Sequence, residues 1–199
     1  QKVRDAGAAV SLAVPIEMNM AHGTPPIIKA QQLGIRPSLS TDVECTLTAD
    51  LFTQMRTAMA LQRMFVNANK LGEPSMPPTN GQALATTREV LQWATMNGAR
   101  DLKLDKKVGS LAPGKEADII ILDAEAINVA PLNHVPGAVV SLMERSNVET
   151  VIVAGQGVHY GKAWPQLKAL AELLEAPVMT TLPGKSAFPE DHPFAPGSG

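Results

Sequence analysis

Asp42 ends the stretch Arg36-Pro37-Ser38-Leu39-Ser40-Thr41-Asp42, which reads as a short strand running into an acid. At the C-terminal end of a parallel strand, α/β folds present their catalytic groups, so Asp42 is the first candidate for chemistry. The same position also suits a turn residue or a helix cap. His22, in Ala21-His22-Gly23, lies on the loop after the preceding strand and would open on the same face; a single loop histidine is equally at home as a structural or solvated residue. Glu17, in Pro15-Ile16-Glu17-Met18, also follows that strand and shares both readings.

Other chemistries find no footing. The four histidines, His22, His134, His159 and His192, form no His-x-His or His-Glu-x-x-His, and the single cysteine, Cys45, has no partner for a metal or disulfide pair. There is no G-x-S-x-G elbow, P-loop or G-x-G-x-x-G, so a nucleophile-elbow hydrolase or a nucleotide-phosphate cradle is not supported. Met55, Met59 and Met64 recur on one helical face and read as packing rather than as a cofactor box.

The elements that must position these residues follow from pattern. Ala8 to Val14 is an apolar run stopped by Pro15, as a strand buried on both faces would be. Ile27 to Leu33 reads as a short helix closed by Gly34, and Ile35 to Ser40 as a second strand; strand, helix and strand imply a parallel βαβ unit. Thr48 is expected to cap a helix with Leu51, Met55, Ala58, Met59, Phe65 and Ala68 on its apolar face, Gln62 as a polar break and Gly72 at its end. Thr86-Thr87-Arg88-Glu89 is a capping-box pattern opening another helix, which Asn97-Gly98 should break. Further on, Ala117 to Asp123 and Val148 to Val153 read as strands, and Gly155-Gln156-Gly157 as the turn of a hairpin returning through Val158-His159-Tyr160. Ile120 is expected to be buried, so that Ile120→Asp would destabilise strongly. Pro165 suits the first turn of a helix with Leu167, Leu170, Ala171 and Leu174 on one side, and the proline-rich tail after Pro177 is expected to be irregular or docked on a neighbour.

Composition narrows the class. With 199 residues, 45% of them hydrophobic and 18% charged, the chain can bury a sizeable core. A net charge of −2 without any Lys/Arg run offers no surface for nucleic acid or an anionic membrane. No apolar stretch approaches the roughly 20 residues of a membrane span, no signal peptide opens the chain, and one cysteine suits a reducing compartment. The expectation is a soluble, cytoplasmic protein, beginning at Gln1 as a processed or truncated product would.

Several segments then resemble one family. Glu89-Val90-Leu91, Ala94-Thr95 and Asn97-Gly98-Ala99 resemble a helix of the metal-dependent amidohydrolases. Val108-Gly109-Ser110-Leu111, Pro113-Gly114-Lys115 and Ala117-Asp118 are similar to the signature that follows it, as Val148 to Gly155 is to a later strand and Leu39 to Asp42 to an earlier one. These cover roughly residues 8 to 162, in the order expected of the cytosine-deaminase and chlorohydrolase-like branch. Lys103 departs from the pattern, standing where the family usually has glycine. The resemblance implies an α/β fold, the C-terminal part of a TIM-like (β/α)8 barrel plus the C-terminal half of a small composite β-sandwich. It divides the chain into a barrel portion (1–106), a sandwich segment (107–162) and a C-terminal helix with tail (163–199). It also implies Asp42 as a ligand of a divalent metal, zinc or iron, and as the acceptor of a proton from the attacking water, with His22 and Glu17 as substrate contacts. The substrate would be a small nitrogen heterocycle or cyclic amide whose C–N or C–Cl bond is hydrolysed. The barrel-strand histidines of the family have no counterpart here, so the chain alone is expected to be inert and to form oligomers or pair with a missing N-terminal portion. The alternative is a non-catalytic interaction or assembly module, or a truncated fragment.

Overall fold

The computed structural model describes residues 1–20, 22–43, 48–73, 76–113, 115–116, 118–153, 162–174, 178, 188–189 and 191–195. They fall into two compact units, one of residues 1–103 and 123–147, the other of 104–122 and 148–199. The sandwich segment expected over 107–162 is therefore divided between them.

The first unit opens with α1 (Lys2–Asp5) and β1 (Ser11–Leu12). The strand is shorter than the apolar run suggests, because α2 (Val14–Asn19) starts within that run: Pro15 stops the strand by occupying the first turn of a helix, where its missing N–H costs nothing. After α3 (Ile27–Gln32), Gly34 N–H bonds Gln31 C=O at 3.0 Å and Ile35 N–H bonds Ala30 C=O at 2.9 Å. This is a Schellman closure with Gly34 at φ +70°, and it turns the chain into β2 (Ser38–Leu39). β1 and β2 pair in parallel, Ser11 opposite Ser38 and Leu12 opposite Leu39, as the βαβ reading requires.

The long helix α4 (Leu51–Lys70) packs against α2 and α3, and against α5 (Thr87–Trp93) and α7 (Val135–Ser141). Its cap is Asp50 rather than Thr48: an Asp50 carboxylate oxygen accepts from Thr53 N–H at 2.7 Å. A carboxylate accepts these orphan N–H groups at least as well as a hydroxyl. Met55 and Met59 are buried, whereas Met64 is exposed. Gln62, the polar break, is fully buried and satisfied, donating to Ala83 C=O (2.9 Å) and Gln31 Oε1 (3.2 Å) and accepting from Ala85 N–H (3.0 Å). The capping box is complete: Glu89 N–H donates to the Thr86 hydroxyl, and Thr86 N–H to the Glu89 carboxylate.

The break after α5 falls at Ala94-Thr95, not at Asn97-Gly98, which lies inside α6 (Met96–Asp101). Both residues serve packing there. The buried Asn97 amide donates to Pro37 C=O at 2.8 Å, and a Cβ at Gly98 would come within 3.9 Å of Ser38 Cβ, so α6 rests closely on β2. The helix α7 has no forerunner in the pattern reading. Its N-terminus is held by His134, whose Nδ1 accepts from Gly137 N–H at 3.0 Å. Arg56 of α4 ties it in, donating to Ser141 and Met143 carbonyls at 3.1 and 2.8 Å.

The second unit contains β3 (Asp118–Leu122) antiparallel to β4 (Val148–Val153), Ile120 opposite Val151. Ile120 is 50% and Val151 61% exposed, which overturns the expected burial of Ile120: a two-stranded sheet covers one face at most, and these residues lie on the other. The returning strand through His159 lies outside the described residues. In α8 (Trp164–Leu174), Pro165 sits in the first turn as expected, and Leu167 and Ala171 gather Val178, Phe188, Phe194 and Ala195 into a separate small core. The described part of the tail is thus docked on α8, helped by Val178 N–H to Phe194 C=O (2.8 Å) and by His192 Nε2 lying 3.2 Å from Glu172 Oε1.

Candidate active site

Three acid–base residues follow the C-terminal ends of the parallel pair. Ser38 N–H to Val10 C=O (3.0 Å) and Ser40 N–H to Leu12 C=O (2.9 Å) hold β2 against β1 up to the last residues before Asp42. Asp42 is exposed and has φ +57°. For a residue with a side chain this left-handed backbone is unfavourable, and Asp is among the few types that tolerate it. A non-glycine residue held in such a conformation after a strand matches the way functional positions store local strain.

Glu17 lies within α2, not in a loop. It is half-buried, and its Oε1 accepts the Ala13 N–H at 2.9 Å, so one oxygen is engaged in closing its own helix. His22 is exposed on the following loop, next to Gly23 at φ +102°. No hydrogen bond or ion pair joins Asp42, His22 and Glu17 to one another among the described residues. Nor, among the described residues, do three His, Cys, Asp or Glu side chains converge closely enough to hold a metal ion. Asp42 has the right oxygen-donor chemistry for a divalent ion, but the described residues do not complete a ligand set.

A second carboxylate, Asp50, was not singled out by its spacing. It lines a cavity of 290 Å³ together with Thr53, Glu144 and Arg145. Burial pushes its carboxyl up, but the Thr53 N–H and hydroxyl, the Thr48 hydroxyl and the Arg145 charge outweigh this and hold it below the ordinary aspartate range. Its signal in the sequence was its place two residues after Thr48 and immediately before Leu51, where an Asp serves as a cap.

A parallel strand pair connected through helices defines part of an α/β fold. The family model described as "Amidohydrolase family" matches residues 3–158, and the chain belongs to that family. A second model, described as "Thiamine pyrophosphate enzyme, central domain", matches residues 138–199. The chain is 34% identical over 140 residues to the 5'-deoxyadenosine deaminase of Methanothermobacter thermautotrophicus, covering 70% of this chain and 29% of that protein. It is 31% identical over 140 residues to the 5-methylthioadenosine/S-adenosylhomocysteine deaminase of Moorella thermoacetica, covering 70% and 30%. An adenosine deaminase from Xanthomonas campestris, solved with bound zinc, superposes with a TM-score of 0.64 at 24% identity, over 75% of this chain and 31% of that one. Escherichia coli guanine deaminase superposes with a TM-score of 0.61 at 17% identity, over 76% and 34%. These neighbours imply a TIM-like barrel with mixed α/β content, of which this chain spans about a third of the length. Among the described residues no helix is long and apolar enough to cross a membrane.

Proposed function

We propose that this chain is the C-terminal part of a metal-dependent amidohydrolase that hydrolyses a non-peptide C–N bond, with Asp42 as the residue it contributes to the chemistry. The observation that carries the reading is the left-handed, exposed Asp42 three residues past the end of the parallel strand β2, within a segment matched by the amidohydrolase model. The names of the deaminase relatives favour an amino-substituted purine nucleoside as substrate, over other nitrogen heterocycles, cyclic amides or chloro-substituted rings.

A divalent ion in such a site lowers the pKa of its bound water towards neutrality. Zinc is favoured over iron by the zinc-bound neighbour. The Asp42 carboxylate would offer one oxygen to the ion, hold the proton lost by the attacking water and return it to the departing nitrogen. His22, on the loop after β1, would contact the substrate. Glu17 would do so through the carboxylate oxygen that does not bond Ala13 N–H. On this reading the chain alone is inert, as its resemblance implies, because the barrel-strand histidines of the family have no counterpart in it. It would need its remaining ligands from a preceding portion, with which β3 and β4 would also complete a small sandwich.

The test is turnover of 5'-deoxyadenosine with zinc. The 199-residue chain should show none above zinc alone, and activity abolished by Asp42→Asn would overturn its inertness. In the longer protein that contains this segment, Asp42→Asn should cost several orders of magnitude, given that acid–base catalysis alone supplies about 10²–10⁴. Retention of about a tenth of the rate would reduce Asp42 to a turn residue.

A second reading concerns residues 148–199, which would be a module of other descent with an assembly role. The thiamine-pyrophosphate-enzyme model matches this stretch, and α8 has a core of its own. Trp93 lies in the first unit and Trp164 in the second. Single-tryptophan variants should therefore unfold with separate midpoints; coincident transitions would count against a separate module.

A further inference from the structure

The left-handed backbone of Asp42 has no support of its own. Among the described residues Asp42 makes no hydrogen bond or ion pair, and a conformation of this kind persists only where the chain around it imposes it. Upstream, that chain is β2, two residues long and held to β1 by the N–H groups of Ser38 and Ser40.

The opposite edge of β2 is held by a side chain. In a parallel pair alternate residues face the partner strand, so with Ser38 and Ser40 turned to β1, Pro37 and Leu39 turn their peptide groups the other way. Among the described residues no strand lies there. Pro37 is fully buried, has no N–H to offer, and its carbonyl would be a buried acceptor without a donor. Asn97 of α6 supplies one: its Nδ2 donates to Pro37 C=O at 2.8 Å, while Arg100 Nη1 lies 3.4 Å from its Oδ1 and so sets which way the amide faces. At 3% exposure, Asn97 has no water to exchange this bond with. Its amide takes the place of a neighbouring strand's N–H, and β2 is gripped on both edges.

We propose that Asn97 is a positioning residue for Asp42: by holding Pro37 C=O it fixes the direction in which the chain leaves β2, and thereby keeps Asp42 in its left-handed pose. The consequence for turnover rests on the reading of Asp42 as the reacting carboxylate; the geometric link does not.

The link is tested by nuclear magnetic resonance of the 199-residue chain. A left-handed φ brings the amide and α protons of one residue unusually close, so Asp42 should give a strong intraresidue cross-peak. Asn97→Leu, which removes the donor at similar volume, should weaken that cross-peak and shift the Asp42 amide. Asn97→Ser, which leaves room for a water at Pro37 C=O, is the milder arm should the leucine variant not fold, and should act in the same sense. Gln62→Leu is the control for lost stability alone, since its bonds run to Gln31, Ala83 and Ala85 and not to β2 or α6. It should lower the melting temperature and leave the Asp42 signal unchanged. In the longer protein that contains this segment, the Asn97 variants should lower kcat about tenfold with KM within about twofold, as a misplaced but intact reacting group would. An unchanged Asp42 signal in the Asn97 variants, or the same change in Gln62→Leu, would overturn the proposal. So would an unchanged kcat in the Asn97 variants where Asp42→Asn is inactive. A lost Asp42 signal with full activity in Asp42→Asn would support the positioning contact and sink instead the reading of Asp42 as the reacting group.

Discussion

Gln62 offers the sharpest test of how α4 holds the segment after it in place. The side chain is 0% exposed, and its amide bonds two backbone groups of the incoming stretch before α5: it donates to Ala83 C=O at 2.9 Å and accepts from Ala85 N–H at 3.0 Å. Gln62→Leu preserves most of the volume, so the loss is polar. Ala85 is itself buried, and its N–H would be left without an acceptor, a penalty of about 1–3 kcal/mol. The Ala83 carbonyl is on an exposed residue and can recover water, so its bond and that to Gln31 each count for about 0.5–1 kcal/mol. Together these come to about 3 kcal/mol, or a melting point lowered by about 6–12 °C for a chain of this size. The assay is thermal unfolding followed by the fluorescence of Trp93 in a Trp164→Phe background, since Trp93 is buried on α5 in the same unit. Gln62→Glu should be at least as damaging, because a carboxylate keeps the acceptor but loses both donors and buries a charge. A Gln62→Leu protein melting within about 2 °C of the parent would refute the reasoning, and with it the account of a polar residue inside an apolar face as a structural tie.

Three further outcomes follow from the same geometry. Asp50→Ala should cost about 1 kcal/mol near neutral pH by removing the α4 cap. Because the folded chain holds the Asp50 carboxyl below its ordinary value of 3.8, the contribution of that shift is fully present above this value and lost as pH falls through the folded one; the penalty in chemical denaturation should shrink on acidification. Ile120→Asp should leave the melting temperature within about 2 °C, since Ile120 is half exposed; a large loss would show that this face is covered. Asp42→Gly should raise thermal stability by up to about 1 kcal/mol through relief of the left-handed backbone; an unchanged or lower melting point would mean that Asp42 earns its conformation structurally.

Local rules were legible where one side chain and one backbone group settle the matter. The Thr86/Glu89 capping box, the glycine closure at Gly34 and the parallel pairing of β1 with β2 could all be read from residue types and spacing. Misreadings arose where tertiary partners decide. Asn97-Gly98 looks like a helix breaker, but a buried amide bond to Pro37 and close packing against Ser38 draw both residues into α6. Residues 135–141 carried no reading at all; a histidine cap and a buried Ala138 and Val140 make them α7. At the candidate site, the position of Asp42 after a strand was legible. Its left-handed backbone was not, nor was the engagement of Glu17 with its own helix, because both depend on how the chain turns after the strand ends.

The limit of resemblance shows most clearly at β4. Residues 138–158 are matched by both family models, and β4 lies within that overlap. A short apolar strand followed by Gly155-Gln156-Gly157 satisfies a hairpin turn and a strand-to-helix turn equally well, because periodicity records burial and not the direction of the next element. The amidohydrolase match ends at residue 158, and beyond it α8 forms a core of its own with the tail expected to be irregular or docked on a neighbour. The functional reading does not depend on how that ambiguity resolves. Glu17, His22 and Asp42 all belong to the first unit, so the descent of residues 148–199 does not bear on the site proposed for them.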